Sequence, residues 1–166
     1  MSSKRQRSGG HIIVDSFLQH GVDHVFCVPG ESYLDILDAL VDVSDRIKLV
    51  SARQEGGAAY MAESYGKLTG KPGVCLVTRS PGACNASIAV HTAYQDGSPM
   101  VMLVGHTRRD FWGRGSFQEI DYVPMFSPMT KWVAQVERTE DLPYYMAQAF
   151  RIAQEGRPGP VVLALP

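Results

Sequence analysis

The feature that most constrains this chain is a repeated alternation of short apolar runs with longer stretches of helical periodicity. HVFCVPG (24–30), IKLVSA (47–52), GVCLVT (73–78), PMVMLVG (99–105), KWVAQV (131–136) and PVVLALP (160–166) read as strands. Several are apolar at successive positions, so both of their faces must be covered, as in a parallel sheet held between two helix layers. SYLDILDALVDV (32–43) reads as a helix with Leu34, Leu37, Leu40 and Val41 on one face. EGGAAYMAESYGKLTG reads as a second helix, with Ala58, Ala59, Ala62, Tyr65 and Leu68 sharing a face and Gly70 placed to end it. Asn85 is suited to cap a third helix running to about Gln95. DLPYYMAQAFRIAQEG forms a fourth, with Leu142, Tyr145, Met146, Ala149, Ile152 and Ala153 inward. The expected fold is a doubly wound α/β domain, a mostly parallel six-stranded sheet with helices on both faces.

With 166 residues, 45% of them hydrophobic, the chain has the size and the apolar content of one domain. Sixteen basic and seventeen acidic side chains nearly cancel, which removes the electrostatic case for nucleic acid or an anionic membrane. The one basic cluster, MSSKRQRSGG, reads as a disordered tail over residues 1–10, with the domain at 11–166. It lacks the apolar stretch of a signal peptide, and no apolar run approaches the ~20 residues that span a bilayer. Cys27, Cys75 and Cys84 form neither a disulfide framework nor a zinc pair, which fits a reducing cytoplasm. The five histidines make no HExxH pattern, so no metal site is expected within the chain.

In doubly wound domains ligands bind at the carboxyl ends of the strands. Three motifs fall there: CVPGES, RQEGG and TRSPGACN. TRSPGACN has two readings, a tight turn with an N-cap or an anion-binding nest, but it is neither a Walker loop nor GxGxxG. Glu55 also has two readings. A carboxylate in a first helical turn is favoured by the helix dipole. Two glycines after it weaken the helix by about 1 kcal/mol each, so something must need the space, and a partly buried Glu in a cleft is a candidate acid–base group. GHTRRDFWGRGSFQEIDYVPMFSPM (105–129) has little periodicity, and loops of that length are usually functional or mobile.

Taken together, FCVPGESYLDILDAL, the stretch from RQEGG through TRSPGACN to MLVG, SFQEIDYVPMFSPMTKW and GRPGPVVLALP resemble the N-terminal, pyrimidine-binding domain of thiamine-diphosphate-dependent enzymes, acetolactate synthase-like members above all. The joint spacing of Glu55, Pro81-Gly82, Asn85 and Phe117-Gln118-Glu119 carries the resemblance. It implies that Glu55 hydrogen-bonds a ring nitrogen of the cofactor's aminopyrimidine and stabilises the imino tautomer. The imino group takes the thiazolium proton, and the resulting carbanion attacks a 2-keto acid such as pyruvate. It also implies that Val28, Pro29, Gly30, Pro81 and Asn85 line the aminopyrimidine pocket and that Gln118 reaches the reacting cofactor. Phe117 and Lys131 would stand at the substrate entrance.

This chain departs from the family in having Gln54 where His is common before the Glu, and SPGACN where GPGATN is common. The GDG motif of the diphosphate- and Mg2+-binding domain does not occur in it, nor does the middle domain that carries FAD in acetolactate synthases. The resemblance therefore implies half of a shared site, completed by a second subunit or a C-terminal diphosphate-binding domain, in a homo-oligomer. An isolated copy is expected to bind the cofactor poorly and not to turn over substrate. The alternatives are the pyrimidine-binding subunit of a split 2-keto acid decarboxylase and a non-catalytic interaction subunit that keeps the fold.

Overall fold

The computed structural model describes residues 7–166. Six strands, β1 (His24–Cys27), β2 (Lys48–Ser51), β3 (Gly73–Thr78), β4 (Met100–Gly105), β5 (Trp132–Gln135) and β6 (Pro160–Leu165), form one sheet in the order β2-β1-β3-β4-β6-β5. Every pairing is parallel. The helices are α1 (Gly9–Gln19), α2 (Leu34–Val41), α3 (Glu55–Thr69), α4 (Arg79–Asp96), α5 (Tyr122–Phe126) and α6 (Leu142–Gln154). This is the α/β sheet that the apolar runs imply.

The two-residue period of the strands divides the core. Val25, Val74, Leu76, Val101, Leu103, Val161 and Leu163 pack on one face with side chains of α1, α2 and α6. Phe26, Cys75, Val77, Met100, Met102, Val104 and Val162 pack on the other with α3, α4 and α5. α3 lies close on the sheet through glycine: a Cβ on Gly66 would stand 2.1 Å from the Pro99 carbonyl oxygen just before β4, and one on Gly73 of β3 would stand 1.9 Å from that of Ala62.

Four local expectations differ from the structure. Residues 1–6 of the expected tail lie outside the described residues, but Ser8 caps α1 and Gly9 begins it. Gly10 is buried so closely against α2 that a Cβ would meet the Asp35 carbonyl oxygen at 2.0 Å. In α2 the buried residues are Ile36, Ala39 and Leu40, while Leu34 and Val41 are exposed, Leu34 because it faces a cleft and not the core. Leu68 is 86% exposed rather than inward. TRSPGACN is not a turn before a helix that starts at Asn85: α4 begins at Arg79, with Pro81 in the first turn, where its missing N–H costs nothing.

Candidate functional site

The strand order reverses between β1 and β3, since the chain leaves β1 for β2 on one side and returns to β3 on the other. This is the switch point at which doubly wound sheets open a ligand crevice. Val28-Pro29-Gly30 leaves β1 there, Glu55 opens α3 after β2, and Thr78-Arg79-Ser80-Pro81 leads from β3 into α4.

Each approach is fixed by a specific contact. The Tyr33 hydroxyl, on a buried side chain, donates to the Val28 carbonyl and, at 3.4 Å, to that of Leu76, tying the turn after β1 to β3. The Ser32 and Thr78 hydroxyls share a hydrogen bond of 2.5 Å. Gly30 is required by space and not by torsion: its φ is −144°, but a Cβ would stand 2.5 Å from that of Thr78.

Glu55 is the first residue of α3 and is half-buried. Its Oε2 accepts from Asn85 Nδ2 at 2.9 Å. Asn85 does not cap a helix, therefore; it orients this carboxylate from the second turn of α4. Oε1 takes no hydrogen bond from the described residues, and Gly82 leaves room beside it: a Cβ there would lie 3.6 Å away. The helix cap is Gln54, whose side chain accepts from the Gly57 amide at 2.9 Å. The two glycines after Glu55 differ. Gly56 is buried against the Asn85 carbonyl, while Gly57 has open space where its Cβ would be.

Phe117 and Gln118 reach the crevice on a loop with its own anchor. Both Glu119 carboxylate oxygens accept backbone amides, Oε1 from Gly113 at 2.5 Å and Oε2 from Ser116 at 2.9 Å. These bonds hold the Glu119 pKa below the ordinary carboxylate value. The Ser116 hydroxyl donates to the Phe111 carbonyl at 2.9 Å. Gln118 has φ +61°, a conformation costly for a residue with a side chain, and its carbonyl accepts from the Ser80 amide at 3.3 Å. An open cleft of about 440 Å3 results, bounded by Pro29, Gly30, Leu34, Leu37, Phe117 and Gln118, with Thr78, Arg79 and Glu31 on its polar side. Glu55 lies next to this cleft at the switch point but is not part of its lining.

Of the residues expected to line the site, the structure brings Val28, Pro29, Gly30, Glu55, Pro81, Asn85, Phe117 and Gln118 to one edge of the sheet. It does not bring Lys131 there. Lys131 precedes β5, at the opposite ends of the strands and beside the outermost one. Its ammonium donates to the carbonyls of Ile152 and Glu155 at the end of α6, and its burial lowers its pKa. Tyr33, which builds the site without lining its chemistry, has no signal in the residue pattern, and Glu119 stands in the Phe117-Gln118-Glu119 motif with no role assigned to it; only their contacts reveal what they do.

Comparison with known proteins agrees with this geometry. The family of thiamine pyrophosphate enzymes, in its N-terminal TPP binding domain, matches residues 7–125. The chain is 42% identical over 159 residues to the acetolactate synthase large subunit of Buchnera aphidicola subsp. Acyrthosiphon pisum. It is 43% identical over 159 residues to the acetolactate synthase isozyme 3 large subunit of Escherichia coli, and 42% over 159 residues to the mitochondrial acetolactate synthase catalytic subunit of Saccharomyces cerevisiae. Each match takes in 96% of this chain but only 28%, 28% and 23% of those proteins, so the chain spans about a quarter of the length of its curated relatives. Among the described residues no helix is long and apolar enough to cross a membrane, and no cluster of potential metal ligands occurs. With the switch-point crevice, the Glu55–Asn85 pair and these matches in agreement, the chain belongs to the thiamine pyrophosphate enzyme family as an N-terminal TPP-binding domain.

Proposed function

We propose that this chain supplies the aminopyrimidine half of a thiamine diphosphate site in an acetolactate synthase-like enzyme that decarboxylates a 2-keto acid such as pyruvate. The observation that carries the reading is the state of Glu55: one carboxylate oxygen is held by Asn85, and the other, beside a glycine, has no partner in the described chain. That is the arrangement a ring nitrogen of an aminopyrimidine needs, an oriented acceptor with space in front of it. When bound, the cofactor supplies the electron sink for decarboxylation. Glu55 holds the proton shared with the ring nitrogen, Asn85 fixes the carboxylate plane, and the Val28–Gly30 turn and Pro81 bound the ring's position. Gln118, whose carbonyl is held at the crevice by the Ser80 amide, orients groups on the reacting side, and Phe117 covers the entrance.

The diphosphate, its Mg2+ and any FAD fall to a further domain or partner, as does the substrate-activating surface. The outer faces of α3 and α4 support such a partner, since Tyr60 and Leu68 of α3 and Ile88 and Tyr94 of α4 are exposed. A homo-oligomer with shared sites is the proposed working form. The three unbridged cysteines fit the cytoplasm.

The test is an assay of the native polypeptide or complex that carries this chain, with pyruvate, thiamine diphosphate and Mg2+. Glu55→Gln is expected to lower kcat by about 10²–10⁴-fold, the range of a positioned acid–base group. Full activity of Glu55→Gln, or turnover without thiamine diphosphate, overturns the reading.

A further inference from the structure

A second cleft, of about 400 Å3, adjoins the first and shares Glu31, Arg79 and Phe117 with it. Its remaining walls include Ser32, His106 and Thr107. It lies over the carboxyl ends of β4 and β6, one and two strands along from β3. With strands about 4.8 Å apart, it extends the switch-point crevice sideways by roughly 5–10 Å.

Four buried side-chain polar atoms lack a hydrogen-bond partner among the described residues: Arg79 Nε, His106 Nδ1, Thr107 Oγ1 and the Tyr122 hydroxyl. Three belong to residues lining this cleft, and the ring of Tyr122 packs edge-on against His106 at 4.8 Å. His106 and Thr107 are only 5% and 8% exposed. Unpaired buried polar groups are rare and costly, and a cluster of them calls for a missing partner. Arg79 adds the charge. It starts α4 at φ +47°, its guanidinium stands 5.6 Å from the Phe117 ring centroid, and no carboxylate pairs with it among the described residues. Arg108, by contrast, is neutralised through two bonds to Asp110, and Glu31 is the one acid on the wall.

We propose that Arg79 anchors an anion subsite, with His106 and Thr107 beside it, that receives a carboxylate at the far end of the substrate acid. This rests on the function proposed above and adds 2-keto acids bearing a second carboxylate to its substrate class. A carbonyl reacting at the β1/β3 crevice directs the tail of such an acid toward β4 and β6. There a planar, permanently charged guanidinium matches a carboxylate.

The test is equilibrium binding to the 166-residue chain without cofactor, so it stands apart from turnover. Trp112 stacks on His106 at 5.1 Å and reports on the cleft; Trp132→Phe removes the other tryptophan signal. The probes are 2-oxoglutarate and succinate against 2-oxobutyrate and butyrate. The dicarboxylates are expected to bind at least about tenfold more tightly, and Arg79→Gln to remove that preference, with Arg79→Lys keeping part of it. Glu31→Gln, an exposed change, is expected to tighten dicarboxylate binding by about two- to threefold. Equal binding of the two classes, no binding of either, or a preference that survives Arg79→Gln overturns the subsite. If instead the subsite binds as expected while Glu55→Gln leaves turnover intact, the cofactor reading fails and the anion site stands.

Discussion

Gly56 and Gly57 are adjacent, lie in the same helical turn and weaken α3 equally on intrinsic grounds, yet they should respond in opposite ways to alanine. At Gly57 nothing lies within 4 Å of the new Cβ, so Gly57→Ala should return the helix propensity lost to glycine, about 0.5–1 kcal/mol. At Gly56 the same gain is opposed twice. The Cβ would stand 2.8 Å from Gln54 Oε1, the oxygen that caps α3, and displacing it forfeits about 1 kcal/mol. It would also stand 3.1 Å from the Asn85 carbonyl oxygen, against an ordinary contact of 3.4 Å, so α3 and α4 must part by 0.3 Å (3.4 − 3.1). Overpacking of this kind costs about 1–3 kcal/mol, leaving Gly56→Ala destabilised by about 1–3 kcal/mol. The two variants should then differ by about 2–4 kcal/mol, or about 4–16 °C in Tm for a domain of this size. Thermal melts followed by circular dichroism, with urea titrations at 25 °C, measure the difference. If Gly56→Ala melts at or above Gly57→Ala, the assignment of one glycine to internal packing and the other to an open surface is wrong.

Two further outcomes follow from the site's supports. Glu119 has its pKa lowered in the fold by the Gly113 and Ser116 amides, so its stabilisation is complete above the unfolded carboxylate value near 4.5 and is lost as pH falls through the lower folded value. Trp112 fluorescence should therefore report loosening of the 111–119 loop on acidification, and Glu119→Gln should show that loosened signal already at neutral pH; a wild-type acid transition unchanged in Glu119→Gln contradicts this. Lys131→Met should lower stability by about 1–2 kcal/mol, since two carbonyls at the end of α6 lose a charged donor, while dicarboxylate binding to the cleft stays unchanged. A loss of binding in Lys131→Met would return that lysine to the site.

The sheet was legible in the sequence because strands buried on both faces carry apolar residues at consecutive positions, a pattern that helices interrupt and surface strands do not share. GVCLVT and PVVLALP are such strands, and both are buried along their length. α2 misled because its apolar residues serve two surfaces: Ile36, Ala39 and Leu40 pack in the core, while Leu34 and Leu37 wall the cleft. Periodicity cannot separate a core face from a cleft face, as both are apolar. TRSPGACN misled because Pro and Gly are common to turns and to the first turn of a helix. Lys131 was drawn to the site by family likeness, although a residue before a strand stands at the end of the sheet away from the carboxyl-end crevice.

What the sequence determined by itself was local and periodic: the strands, most of the helices, the strand-end rule that collects Pro29, Glu55 and Pro81 on one edge, and the family, whose likeness adds Gln118. The tertiary structure alone decided which oxygen of Glu55 is held and which is open, because Asn85 lies 30 residues away on another helix. It alone set Arg79, His106 and Thr107 around one cleft, each with a buried polar atom unpaired among the described residues. Hydrogen-bond satisfaction depends on distances between segments remote in the chain, and no residue pattern encodes those distances until the sheet order is known.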